Sequence, residues 1–177
     1  MEMLMGEGSK PTALVIMGPS GVGKSTTAEL IAARLGWPFA EADEFHPQAN
    51  IEKMTAGIAL NDEDRAPWLV AIRDWITREA DSDVSTVLTC SALKRRYRDV
   101  LREAHAHVRF VALEADPDLV ASRLDQRKGH YMPKSLLQSQ FADFQPLAAD
   151  EDGITVPVIA PPDEVVRTIL EKLDLSA

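Results

Sequence analysis

Apolar residues along this chain follow two rhythms. Short unbroken runs alternate with longer stretches in which every third or fourth position is apolar. The first run, Thr12-Ala-Leu-Val-Ile-Met17, is partly β-branched and suits a strand buried on both faces. Residues 24–35 come next, with Ala28, Ile31, Ala32 and Leu35 on one helical face and Gly36 as the stop. The same runs predict further strands over 37–42, 84–91, 107–114 and 154–159. Helical spacing predicts a helix over 50–59, with Ile51, Met54 and Ile58 inward and Gly57 loosening it. A longer helix carries Trp68, Leu69, Ile72, Trp75 and Ile76 as one stripe, read as core packing. Pro67 is tolerated only near a helix start, so that helix is expected to begin within 64–66. Others follow Lys94 and Pro117, cover 134–144, and start at Pro161, the last with Val165, Ile169, Leu170 and Leu173 inward.

Strands and helices alternate throughout, which predicts an α/β fold: a parallel sheet with helices on both faces. A length of 177 residues without internal repeats fits a single domain. The hydrophobic share of 45% and charged share of 27% are those of a soluble globular protein. A net charge of −9 argues against a general nucleic-acid or membrane-surface binder, yet leaves room for a basic pocket that takes a small anion. The lone Cys90 excludes an internal disulfide and fits a reducing cytoplasm. Residues 1–11 are polar, acidic at Glu2 and Glu7, and lack the apolar segment of a signal peptide, so a frayed leader is expected. No apolar run approaches the ~18 residues of a membrane span.

Between the first strand and helix stands Gly18-Pro19-Ser20-Gly21-Val22-Gly23-Lys24-Ser25, which fits the P-loop pattern G-x-x-x-x-G-K-[ST]. Its glycines let the backbone turn its N–H groups toward phosphate oxygens without a Cβ in the way. Lys24 adds a point charge at the β/γ-phosphates, Ser25 offers a hydroxyl to Mg²⁺, and the helix presents its positive end to the same anion. Strand, glycine loop and helix stand in the required order, so residues 18–26, including Thr26, are assigned to nucleotide phosphates.

Other polar residues gather where strands end, the place at which open α/β sheets hold ligands. Glu41, Asp43 and His46 follow the second strand, and Asp43 serves equally as a catalytic carboxylate or a helix N-cap. Arg65 falls on the inward stripe of the long helix, which calls for an anionic partner: a substrate, or else Asp62 or Asp64. The third strand ends in Thr89-Cys90-Ser91, without the aspartate that many P-loop enzymes carry there, leaving metal support to Glu41 or Asp43. Lys94 to Arg98 holds four cations in five residues; Lys94 and Arg98 share the inner face with Tyr97 and Leu101, and Arg95 and Arg96 are read as solvated. Further on, Arg123 and Arg127 lie four apart before a glycine junction at 128–133 that also holds His130. Two such arginines suit a lid closing on phosphates, or surface pairs with aspartates; the P-loop favours the lid.

Four blocks carry a resemblance: GPSGVGKST, ADEFHPxxNIEKMxxGxxLNDEDRxPWL, CSALKRRYRDxLR and SRLxxRKGHYM, together spanning Gly18 to about Phe144. With them the chain resembles the gluconate kinases, P-loop small-molecule kinases akin to shikimate and nucleoside monophosphate kinases. The resemblance implies a five-stranded parallel sheet of order 2-3-1-4-5, a mobile substrate-side helical region near 44–81 and a mobile lid near 122–145. It also implies transfer of the ATP γ-phosphate to the terminal hydroxyl of D-gluconate with Mg²⁺, in a cytoplasmic protein that is commonly a homodimer. Asp43 falls where the family's second acidic residue meets the substrate, and Glu41 departs from the aspartate often found two positions earlier. The roles expected are charge stabilisation by Lys24, Arg127 and Mg²⁺ on Ser25, with Arg123 in support, and Asp43 as general base. Arg65, Arg98 and His130, with His46, Lys94 and Arg127, are the candidates for holding gluconate. Another small-molecule kinase is the runner-up. A regulatory GTPase module is disfavoured, because D-x-x-G at 150–153 precedes the final strand and no N-K-x-D motif exists.

Overall fold

The computed structural model describes residues 10–18, 23–91, 94–114 and 144–175. Five strands form one parallel sheet: β1 (Thr12–Met17), β2 (Phe39–Glu41), β3 (Thr86–Thr89), β4 (His107–Glu114) and β5 (Gly153–Pro157). Their order is β2-β3-β1-β4-β5, the expected 2-3-1-4-5. The central strand β1 pairs with β3 and β4, so its backbone is satisfied on both edges and its apolar side chains are free to fill both faces. Those side chains alternate. Leu14 and Ile16 join one cluster with helices α1 (Lys24–Leu35) and α5 (Pro162–Lys172). Ala13, Val15 and Met17 join another with α3 (Asp62–Asp81) and α4 (Arg95–Arg102). The period of two in an extended chain thus makes two cores on one sheet.

Three expectations need correction. Helix α3 starts at Asp62, earlier than Pro67 suggested, and Pro67 sits inside it. A capping box accounts for the early start: Asp64 N–H donates to Asn61 Oδ1 at 2.8 Å while Asn61 N–H donates to Asp64 Oδ2 at 3.0 Å. Two satisfied N–H groups and an acidic first turn hold the start firmly enough that proline's single lost bond, to the Glu63 carbonyl, is tolerated. Helix α2 spans Gln48–Thr55 and stops before the predicted 59, because Gly57 turns at φ +81°. Of the three residues expected inward only Met54 is buried; Ile51 is exposed, and Ile58 lies beyond the helix and is 52% exposed. The predicted lid near 122–145 falls almost wholly outside the described residues.

The third correction concerns Arg98. It points inward as the helical spacing required, but it is 0% exposed and its Nε and Nη2 donate to Glu151 at 2.9 and 3.1 Å. Glu151 lies on the loop before β5 and also meets Arg102 at 3.0 Å. Arg98 is therefore a structural cation that ties α4 to that loop, and the substrate role expected for it is withdrawn. Arg95, read as solvated, is drawn to the same loop: it pairs with Asp150 at 2.6 Å, and Gln145 accepts from its backbone N–H at 2.9 Å.

Removing one partner of a buried pair leaves an uncompensated charge. Glu151→Ala is expected to lower stability by about 3–5 kcal/mol. Asp150→Ala, which removes a solvent-screened surface partner, is expected to leave stability nearly unchanged. Urea midpoints of the two variants check this, and equal losses would refute it.

Candidate active site

The phosphate-binding end is built at the carboxyl edge of β1. Gly23 is the N-cap of α1 with φ +94°, a left-handed conformation that a side chain would strain, which is why glycine stands before the lysine. The Lys24 ammonium reaches back to the Gly18 carbonyl at 2.9 Å, across the mouth of the loop. Ser25 lies exposed on the first turn of α1, and its hydroxyl donates to the Glu41 carboxylate. Glu41 gets there because β2 pairs with β3 in a register that sets it beside Thr89, at the same edge of the sheet. The longer side chain thus reaches the serine. Residues Pro19, Ser20, Gly21 and Val22 of the loop lie outside the described residues, as do Arg123, Arg127 and His130; Thr26 is exposed beside Ser25.

Next to Glu41 the chain makes a short 3-10 turn, Ala42–Phe45, with Asp43 exposed on it. Asp43 caps no helix: the turn's N-cap is Glu41, and α2 has Pro47 at that position without a side-chain cap. Its carboxylate is presented to solvent beside the phosphate end. His46 closes the turn. Its ring lies flat on Trp68, 4.3 Å between centroids and 10° from parallel, and Trp68 Nε1–H donates to the Ala42 carbonyl at 2.7 Å. Burial pulls the His46 pKa down from 6.5 to about 4; Arg65 adds to the effect and Asp43 opposes it. At neutral pH the ring is uncharged.

Beyond lies an open cleft of about 330 Å³ lined by Leu60, Asn61, Asp62, Glu63, Arg65 and Lys94. Tyr97 organises its polar wall. Arg65 Nη1 donates to the Tyr97 hydroxyl at 2.7 Å, and that hydroxyl donates to Asp62 at 2.5 Å. Arg65 and Lys94 also stand over the Tyr97 ring, 5.1 and 5.7 Å from its centroid. Lys94 and Arg96 approach Asp62 at 3.6 and 3.0 Å. The bond from Tyr97 chiefly, then Arg96 and Lys94, hold the Asp62 carboxyl below its usual range. Burial, then the bond to Asp62, raises the Tyr97 hydroxyl above its own. The lining sets two cations, Arg65 and Lys94, against two carboxylates, Asp62 and Glu63, so the cleft is polar and charge-balanced.

Residues 14–147 match the family described as an AAA domain. Over 163 residues the chain is 46% identical to the gluconokinase of Gluconobacter oxydans (strain 621H), covering 92% of each. The chain belongs to the gluconokinase family. Among solved structures, an unliganded sugar kinase from Janibacter sp. superposes with a TM-score of 0.90 at 47% identity, over 93% of this chain and 95% of the other. A gluconokinase from Sinorhizobium meliloti 1021 superposes at 0.82 with 43% identity, over 93% of each.

Within this family member, the structure brings Ser25 and Glu41 together, and Arg65 and Lys94 together, with His46 under the charge of both Asp43 and Arg65. Sequence reasoning named Asp62 as an alternative partner of Arg65 but missed Tyr97, whose hydroxyl stands between the two, and missed Asn50 as a partner of His46. Tyr97 carries a readable signal, since it shares the inner face of α4 with a cluster of cations. Helical spacing marks Trp68 as core alone; it is buried, and it also supports the His46 ring.

For a histidine whose folded pKa lies below its unfolded one, the unfolded chain binds the proton first, so stability falls as pH drops from 6.5 toward 4. Above that window and below it the contribution is flat. His46→Phe keeps an aromatic ring on Trp68 and is expected to flatten the fall within the window. Urea midpoints measured across it for both proteins check this; identical slopes would refute it.

Proposed function

We propose that this chain transfers the γ-phosphoryl group of ATP to the terminal hydroxyl of D-gluconate, giving 6-phospho-D-gluconate and ADP. One juxtaposition carries the reading. The phosphate-binding start of α1 and a cleft holding Arg65 and Lys94 share one edge of the sheet, with Asp43 beside them. Membership of the gluconokinase family supports the choice of gluconate over shikimate or a nucleoside monophosphate.

Phosphoryl transfer asks for positioning and charge neutralisation more than for covalent chemistry. Lys24 holds the β/γ-phosphates, and the backbone of the loop from Gly18 to Gly23 supports them. Residues fit for Mg²⁺ are Ser25 and Glu41, whose hydroxyl and carboxylate oxygens already converge and match the oxygen preference of that ion. When bound, the ion would offset the negative charge of the ATP phosphates. Asp43 orients the gluconate hydroxyl and accepts its proton, while Arg65 and Lys94 hold the carboxylate. Arg127, with Arg123 and His130, closes on the transferring group and the sugar acid in the same reading. A cytoplasmic homodimer belongs to the proposal as well, supported by the family resemblance and the lone cysteine. Among the described residues, no helix is long and apolar enough to cross a membrane.

A coupled ADP assay with gluconate, shikimate and nucleoside monophosphates tests the substrate; turnover of any of these in preference to gluconate would overturn it. Asp43→Asn is expected to cut kcat by about 10²–10⁴-fold with the KM for ATP unchanged. Near-full turnover would remove Asp43 as the base. Glu41→Gln is expected to raise the Mg²⁺ concentration needed for half-maximal rate, and an unchanged requirement would remove Glu41 from the metal.

A further inference from the structure

Asn50 is buried in α2, 3% exposed, and its position reveals something about His46. Asn50 Nδ2 lies 2.8 Å from the Asp64 carbonyl oxygen. A carbonyl oxygen can only accept, so the amide must turn its nitrogen, not its oxygen, to that side. The same nitrogen lies 3.1 Å from His46 Nδ1. Its two hydrogens thus serve one neighbour each, and Nδ1 must be the unprotonated ring nitrogen. In a neutral imidazole the proton then sits on Nε2. Stacking on Trp68 fixes the plane of the ring, as the bond from Asn50 fixes its tautomer. The charges that bear on it come from Asp43 on the 3-10 turn and Arg65 on α3, of opposite sign.

The geometry points to Asn50 as a positioning residue that locks His46 as a neutral Nε2–H donor, and to His46 as the reader of a polyol hydroxyl oxygen. The lock stands on contacts within the protein; the polyol rests on the gluconate reading above. A protonated His46 would set another cation beside Arg65 and would meet the Asn50 amide hydrogens with its own. A neutral donor instead contributes direction without net charge. That divides the work: Arg65 and Lys94 supply the charge for a carboxylate, and His46 supplies an oriented bond for a hydroxyl. Asn50 also ties His46 to the first turn of α3, so the hydroxyl reader and the arginine keep a fixed spacing.

Long-range ¹H–¹⁵N correlation on histidine-labelled wild-type protein at neutral pH tests the lock without any variant having to fold. Of the 4 histidines, His46 is assigned in the wild type by its ring-proton contacts to the Trp68 indole on which it stacks. A protonated Nε2 and a bare Nδ1 are expected; the other tautomer, or an imidazolium, overturns the lock. Asn50→Leu removes the donor to Nδ1 with little change in volume and is expected to leave the ring free to take either tautomer. It should raise the KM for gluconate by about tenfold, the worth of one net hydrogen bond, with the KM for ATP unchanged. An unchanged gluconate KM overturns the positioning role. His46→Phe is expected to raise the gluconate KM by a factor that is the same at low and high salt, whereas the penalty of Arg65→Gln shrinks with salt. A His46 penalty that shrinks in the same way, or no penalty, overturns the hydroxyl assignment. If wild-type protein does not turn over gluconate, the functional reading and the polyol fail together, and the tautomer is still decided by the spectrum.

Discussion

A guanidinium withdrawn from water is tolerable only against a matching charge, and Arg98 meets that demand with Glu151. Both side chains are fully buried, and they lie 53 residues apart in sequence. The pair fixes how α4 lies on the sheet. That in turn fixes Tyr97, one residue before Arg98, and through Tyr97 the directions of Arg65 and Lys94. The polar wall of the cleft is therefore organised from beneath. A buried charge pair decides where the charges that face the cleft stand.

The same hierarchy separates what is legible in the sequence from what is not. Strands β1 and β4 can be read to the residue because they are largely buried, β1 as a short apolar run and β4 as one that Arg109 alone interrupts. Helix α1 is equally plain, with a glycine loop before it and Gly36 turning left-handed after it. The start of α3 is not, because Pro67 is a louder local signal than a capping box between Asn61 and Asp64. Arg98 shows a deeper limit. Helical spacing declares that a cation points inward, but it cannot say whether its anion is a substrate or a glutamate from a distant loop. Arg65 is a gentler case: its partner is a tyrosine hydroxyl, with Asp62 one bond further on. The site is legible as a set of charges near strand ends, and illegible in which charges answer one another.

At the phosphate end the missing aspartate after β3 is a matter of register. Glu41, at the end of β2, pairs with Thr89 at the end of β3 and delivers its carboxylate to Ser25. The carboxylate stands one strand across, and glutamate's extra methylene spans the added distance. A search for a metal-supporting acid along β3 alone finds only Thr89, Cys90 and Ser91.

The alternation of side chains along β1 also has an evolutionary consequence. Trp68, Tyr97 and Ala42, which shape the cleft wall and the turn at His46, all belong to the cluster on one face of the sheet, whereas α1 and α5 pack on the other. Packing on one face can therefore change without disturbing the other. Substitutions around the cleft can accumulate on the first face while the second keeps α1 in place. A lineage could change its diet without relearning how to hold a nucleotide.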